Sequence, residues 1–263
     1  MFDIIKTNPI LSKMLDLQKD KYPKDADKNV VLKDSFINAF SISDRSVRVV
    51  FDQVNMKILN ITDNVEVVMG FSGKDFSNMS LALAFKFFTL EHYNFLYVWL
   101  KWAYSLHSKV DPSDLNRLVN VRHAICGVKV KHKKGYDMHI LLRHFVLEET
   151  ENHIPIVAAV TIDDVSHLMK SDFYWGRIVS GQDVKSIHHI VSTDKISKHC
   201  DILSDRELET LRLLAEGKES KEIGKILFIS PHTVDNHRRN MISKIGVRDT
   251  TGLIQICKMV GIV

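Results

Sequence analysis

Apolar positions recur along this chain in two rhythms. Between Arg48 and Leu59, short runs rich in Val and Ile predict strands. From Glu91 to Ser108 the residues Phe95, Val98, Trp99, Trp102 and Leu106 recur every three to four positions, which predicts one buried face of a helix. Three further strand-like runs follow: Ala124–Lys133, Tyr136–Glu148 and Pro155–Ile162. Lys134-Gly135 joins the first two as a tight turn, and the polar Glu149–His153 joins the last two. Residues 1–46 read as mostly helical, interrupted by the polar stretch Lys19–Lys28 with Pro23. Residues 171–200 read as a connector that holds a hairpin around Ser180-Gly181. The order of strand, strand, helices and three antiparallel strands over 47–170 makes this an α+β chain.

From residue 201 the rhythm is helical throughout. Ser204-Asp205-Arg206-Glu207 has the hydroxyl and carboxylate spacing of a capping box, followed by an apolar stripe of Leu208, Leu211 and Leu214 and an exit at Gly217. A short helix is expected over about Ser220–Leu227. Ser230-Pro231 then starts a longer one that stops at Gly246, because proline at the first helical position loses nothing by lacking an N–H. A fourth helix spans about Asp249–Val260. A short helix, a tight turn and a longer helix form a helix-turn-helix, whose second helix enters the major groove of DNA. Gly224 suits close approach of the two helices.

On the third of these helices, turning at about 100° per residue, Met241 and Ile245 fall within roughly 20° of Val234 and mark the buried face. His232, Asn236, Arg239 and Ser243 point about 140–200° away, with Asp235 and Asn240 on the flanks. Asn pairs bidentately with adenine and Arg with guanine, so this face has the chemistry of base readout. Arg238, Lys221, Lys244 and the Thr233 hydroxyl are placed to hold the phosphate backbone, which positions without specifying. His237 lies nearer the buried side and reads as a structural hydrogen-bonder. Asp235 keeps two readings: a base contact, or an acid favoured by the helix dipole near its start.

Leu203–Ile256 resembles the LuxR-type (FixJ/NarL) DNA-binding domain. The matching residues are Leu203-Ser204-Asp205-Arg206-Glu207-Leu208-Glu209, Ala215-Glu216-Gly217, Lys221-Glu222-Ile223, Ile229-Ser230, Thr233-Val234, His237-Arg238, Lys244-Ile245 and Val247. The resemblance implies that Asp235, Asn236 and Arg239 face bases and that the last helix dimerises. Three positions depart from the family pattern. Glu219-Ser220 replaces Ser-Asn ahead of the second helix and leaves its cap open. Gly224 replaces alanine. Asp235 replaces lysine, and an acid there repels phosphate and prefers the amino group of cytosine. The middle region, about 47–168, resembles the PAS sensor fold through Ile61–Phe76, with its Gly-Phe-Ser turn, and through Gly127–Leu168, with its Lys-Gly hairpin and Val-Thr-Ile-Asp-Asp ending.

Composition narrows the partners only a little. The 263 residues exceed one usual domain, and an apolar share of 45% lets each part build a core. A net charge of +4 does not by itself mark a nucleic-acid binder, so that reading rests on where the charges sit. Cys126, Cys200 and Cys257 lie far apart, without metal-ligand spacing, which points to a reducing, cytoplasmic setting. No signal-peptide pattern is seen at the start, and the apolar stretch Leu81–Leu90 is too short to cross a bilayer.

Among the 13 histidines, His188-His189, His199-Cys200 and His123-x-x-Cys126 lack the further ligands a metal needs. His92 is a haem candidate by position alone. The aromatics Phe95, Trp99 and Trp102 read as core. A flavin-thiol photosensor needs a cysteine between Asp63 and Ile125, and none is there. No phospho-receiver pattern, nucleophile elbow or phosphate loop appears. The expectation is therefore a non-enzymatic, cytoplasmic, homodimeric transcription regulator that binds double-stranded DNA through residues 201–263. Its PAS-like domain would bind a small-molecule ligand or a protein partner, with no cofactor assigned and no membrane contact. A ligand-free interaction domain and a tethered enzyme are the rival readings.

Overall fold

The computed structural model describes residues 12–13, 46–55, 57–76, 79, 84–97, 122–149, 155–170, 174–180, 186–191 and 202–263. The expected N-terminal helical segment and most of the Trp-rich helix, including Trp99 and Trp102, lie outside these residues. The described start of that helix is a short 3-10 turn, Leu90–His92, followed by helical residues 93–97 that bury Phe95 and Leu96.

Seven antiparallel strands form one sheet: β1 (Val47–Asp52), β2 (Lys57–Ile61), β3 (Arg122–Lys131), β4 (Asp137–Glu149), β5 (Pro155–Asp164), β6 (Trp175–Ser180) and β7 (Ser186–Val191). Their spatial order is β2-β1-β5-β4-β3-β6-β7. Two short helices, α1 (Val65–Met69) and α2 (Gly73–Phe76), follow β2. The α+β class and the PAS-like antiparallel arrangement are therefore as the sequence pattern required. The stretch read as a connector carries the expected hairpin. Its first strand pairs with β3, Cys126 opposite Trp175, so the hairpin lengthens the sheet instead of bridging open space.

One sheet face holds Val47, Val49, Ile58, Ile125, Val128 and Ile140, packed against Val65 and Met69 of α1, Phe76 of α2 and Phe87. The Phe71 and Phe76 rings lie 4.9 and 5.1 Å from that of Phe87. The opposite face carries Cys126, Leu141 and Trp175. Cys126 and Val128 are two residues apart, yet they point to opposite faces. Strict alternation would put them together, but the register shifts between them at Gly127, whose φ is 84°.

The C-terminal part is four helices: α3 (Asp205–Ala215), α4 (Ser220–Leu227), α5 (Pro231–Ile245) and α6 (Thr250–Met259). Its core, including Leu211, Ile223, Val234, Met241, Ile245, Leu253 and Ile256, runs without a break into Cys126, Leu141 and Trp175 of the sheet. The two parts also share a polar seam. Met169 and Val247 form a β-bridge, Arg248 N–H donates to the Leu168 carbonyl at 2.9 Å, and Lys170 N–H donates to that of Gly246 at 2.9 Å. The Trp175 indole donates to the Ile245 carbonyl at 3.3 Å, and the Arg177 guanidinium to that of Val260 at 2.7 Å.

The surface of α6 that sequence left for a second copy is thus partly occupied by the chain's own sheet. Gly252 sits there because a side chain would meet the Leu168 carbonyl, 3.3 Å from its Cβ position. Burial pushes the Cys257 thiol up to about 12, against the pull of Arg177, and it also raises Cys126, with Cys257 adding to the effect. Both cysteines therefore stay protonated thiols in the seam.

Candidate nucleic-acid interface

The local sequence builds this site from its caps outward. Ser204 caps α3: the Glu207 carboxylate accepts from the Ser204 N–H at 2.7 Å while the serine hydroxyl accepts from the Glu207 N–H at 3.4 Å. The open question at α4 resolves differently. Glu219 is the N-cap residue, and the Glu222 carboxylate accepts its N–H at 2.8 Å. That leaves the Ser220 hydroxyl free of capping, and it donates to Asp235 of α5 at 2.7 Å. Ser230 caps α5 by accepting from the Thr233 N–H at 3.0 Å, with Pro231 in the first turn. Gly246, at φ 79°, ends α5 in the left-handed conformation that costs other residues strain.

Between α4 and α5 the backbones approach closely. A Cβ on Gly224 would lie 2.7 Å from the Ile229 carbonyl oxygen and 3.3 Å from the Pro231 nitrogen. The turn also holds Phe228 at φ 56°, with 94% of its surface exposed. No periodicity argument singles that residue out, because a left-handed aromatic has no local sequence signal.

The faces of α5 divide as the helical wheel requires. Val234, Met241 and Ile245 are fully buried, whereas His232, Asn236, Arg239, Asn240 and Ser243 are exposed. The Arg239 guanidinium donates to the Asn236 side-chain oxygen, so the two outward residues form one polar unit. Thr233 is half-buried and its hydroxyl lies 2.8 Å from that of Ser230. Lys221 is exposed and His237 half-buried.

Two other sequence candidates are already engaged. Lys244 donates to the Glu207 carboxylate at 2.7 Å, which ties the end of α5 to α3. Asp235 accepts from Ser220 and is also paired with Arg238 at 2.9 Å. Burial pushes the Glu207 carboxyl up, but its bonds to Lys244 and Ser204 outweigh that and hold it below its ordinary value. Glu207 and Ser220 were not legible as partners because 37 and 15 residues separate them from the side chains they bind. An open groove of about 580 Å3 lies beside this cluster, lined by Leu214, Lys218, Ser220, Asp235, Arg238 and Thr250.

The other weighed candidates sit away from this surface. His92 is fully buried, with its Nδ1 accepting from the Lys129 N–H at 3.2 Å and lying 2.9 Å from the Thr89 hydroxyl. Among the described residues no three His, Cys, Asp or Glu side chains converge on a metal-sized site, and no helix is long and apolar enough to cross a membrane.

Comparison with known proteins agrees with this geometry. Residues 201–257 match the family model described as bacterial regulatory proteins, luxR family. The transcriptional regulatory protein LiaR of Bacillus subtilis (strain 168) is 44% identical over 73 residues, covering 28% of this chain and 33% of LiaR. The transcriptional regulatory protein TdiR of Thauera aromatica is 47% identical over 60 residues, covering 22% of this chain and 26% of TdiR. The chain thus spans about a third or less of the length of these relatives. Over most of its length it aligns with the structure of the Vibrio cholerae VqmA dimer, covering 88% of this chain and 89% of that one, at 13% identity and a TM-score of 0.33. The helical domain at the C-terminus of this chain is a member of the luxR family of bacterial regulatory proteins.

Proposed function

We propose that the chain is a transcription regulator that binds specific sequences in double-stranded DNA. The observation that carries this reading is the division of α5: a fully apolar face sunk in the core, and an exposed face of His232, Asn236 and Arg239. Asn236 and Arg239 read bases from the major groove. Arg238, Lys221 and the Thr233 hydroxyl hold phosphates, and Lys244 does so at the edge while anchored to Glu207. The relatives' description as transcriptional regulatory proteins supports the same role. No step calls for catalysis. The protein acts as a homodimer in the cytoplasm, and its two helices address half-sites about 34–36 Å apart, one turn of the duplex.

The sheet domain senses a small molecule or a protein partner. Its influence reaches the DNA-binding helices through β3. Ile125 and Val128 of that strand line the sensor core, while Cys126 between them packs in the seam with α6.

Fluorescence anisotropy with labelled duplexes across a salt series tests the reading. Arg239→Ala should cost about 1–3 kcal/mol on a preferred site and relax selectivity at one base pair. Arg238→Ala should weaken all duplexes alike and lower the salt slope by about 1. A parent chain that ignores duplexes at low ionic strength refutes the proposal, and a sequence-selective loss with Arg238→Ala reverses the two roles.

A further inference from the structure

We infer that Asp235 is a positioning residue, an internal counter-charge that ties α4 to α5 and lowers affinity for every duplex while reading no base. The inference rests on the DNA-binding role proposed above and deepens it. A single carboxylate oxygen of Asp235 takes both the Ser220 hydroxyl, at 2.7 Å, and the Arg238 guanidinium, at 2.9 Å. Both partners lie on the α4 side of α5. The side chains of Asn236 and Arg239, one and four positions on, instead point outward and bond to each other. A carboxylate reading cytosine would have to give up both partners and swing away from α4 into another rotamer.

The location gives the carboxylate a second effect. Lys218, Lys221 and Arg238 line the groove at the start of α4, a concentration of cations suited to phosphate. Asp235 stands among them as their only acidic neighbour on α5 lining that groove, with Glu219 facing it from the start of α4. A phosphate that settles there must take Arg238 from Asp235, and it meets the repulsion of the carboxylate at the same time. Arg238 and Asp235 are only partly exposed, at 35% and 39%. The pair is therefore of the surface type, which bounds the penalty on binding at roughly fivefold. The hydrogen bond to Ser220 is the compensating benefit: it fixes the angle between α4 and α5 across the close approach at Gly224.

Asp235→Asn separates the two roles, because the amide oxygen still accepts from Ser220 while the charge is gone. Measured on the full chain by anisotropy over a salt series, it should bind every duplex about two- to fivefold tighter. Its salt slope should steepen by a fraction of the about 0.9 that one full phosphate contact gives, because Arg238 already supplies part of that contact in the parent. Rank order among duplexes should not change. In an Arg238→Ala background the same substitution should give much less gain. Asp235→Ser, which keeps a hydroxyl at the position, repeats the test should the amide disturb folding. A merely structural Asp235 would leave the salt slope alone, and a base-reading Asp235 would change selectivity at one base pair. Either result overturns the inference while the parent's DNA binding stands, whereas a parent that binds no duplex overturns both.

Discussion

Arg177 is the place where the structure makes its least intuitive demand on stability. Its side chain is 2% exposed in the seam, and among the described residues no carboxylate is paired with it. Burial pulls its pKa down to about 10, with the nearby Cys257 opposing. A depression of that size corresponds to about 3 kcal/mol against the charged form. The guanidinium recovers much of it through the bond to the Val260 carbonyl at 2.7 Å, a charged hydrogen bond of about 1.5–3 kcal/mol. The sign follows from the direction of the shift. The folded state holds this proton less tightly than the unfolded chain, so the penalty is present in full at every pH below about 10 and is relieved only above it. Arg177→Met replaces the charge by an unbranched apolar chain of similar reach. Urea denaturation at neutral pH, followed by far-ultraviolet circular dichroism, should therefore show a change within about 1 kcal/mol of zero, in either direction. Arg177→Ala should be worse than Met, because it adds a cavity to the loss of the bond. A loss above about 3 kcal/mol for the Met variant would refute the reasoning, since that is the signature of a well-compensated buried charge.

Two further outcomes follow from the helical domain. Gly224→Ala gains up to about 1 kcal/mol in helix propensity but must push the Ile229 carbonyl away from a 2.7 Å contact, an overpacking cost of about 1–3 kcal/mol. Thermal melting should show net destabilisation, and an unchanged or raised Tm would mean the turn opens freely. Glu207→Gln should destabilise the protein at neutral pH and lose its effect in acid. The carboxyl of Glu207 is held below its ordinary value, so its contribution is present above the unfolded pKa and disappears as pH falls through the folded one. A difference from the parent that persists unchanged below that range would place the effect in packing instead.

Much of the interface was legible before any coordinates. Capping boxes, proline at a helix start and a left-handed glycine at its end are local devices, so Ser204, Ser230, Pro231 and Gly246 announced their helices from spacing alone. The division of α5 into a buried and an open face was legible for the same reason, since a rigid rotation per residue converts sequence order into direction. The cap of α4 was not, because Glu219 took the N-cap position and left Ser220 to a distant partner.

Sequence by itself determined the helix-turn-helix, the antiparallel strands and the choice of side chains that face outward on α5, since each depends on neighbours within a turn or a strand. Only the tertiary structure decided that Asp235 is bound to Ser220, that Lys244 is bound to Glu207, and that α6 lies against the sheet through Trp175 and Arg177. Those contacts join residues from 15 to 83 positions apart. Their energy comes from desolvation and charge pairing in a shared interior, which no local pattern encodes.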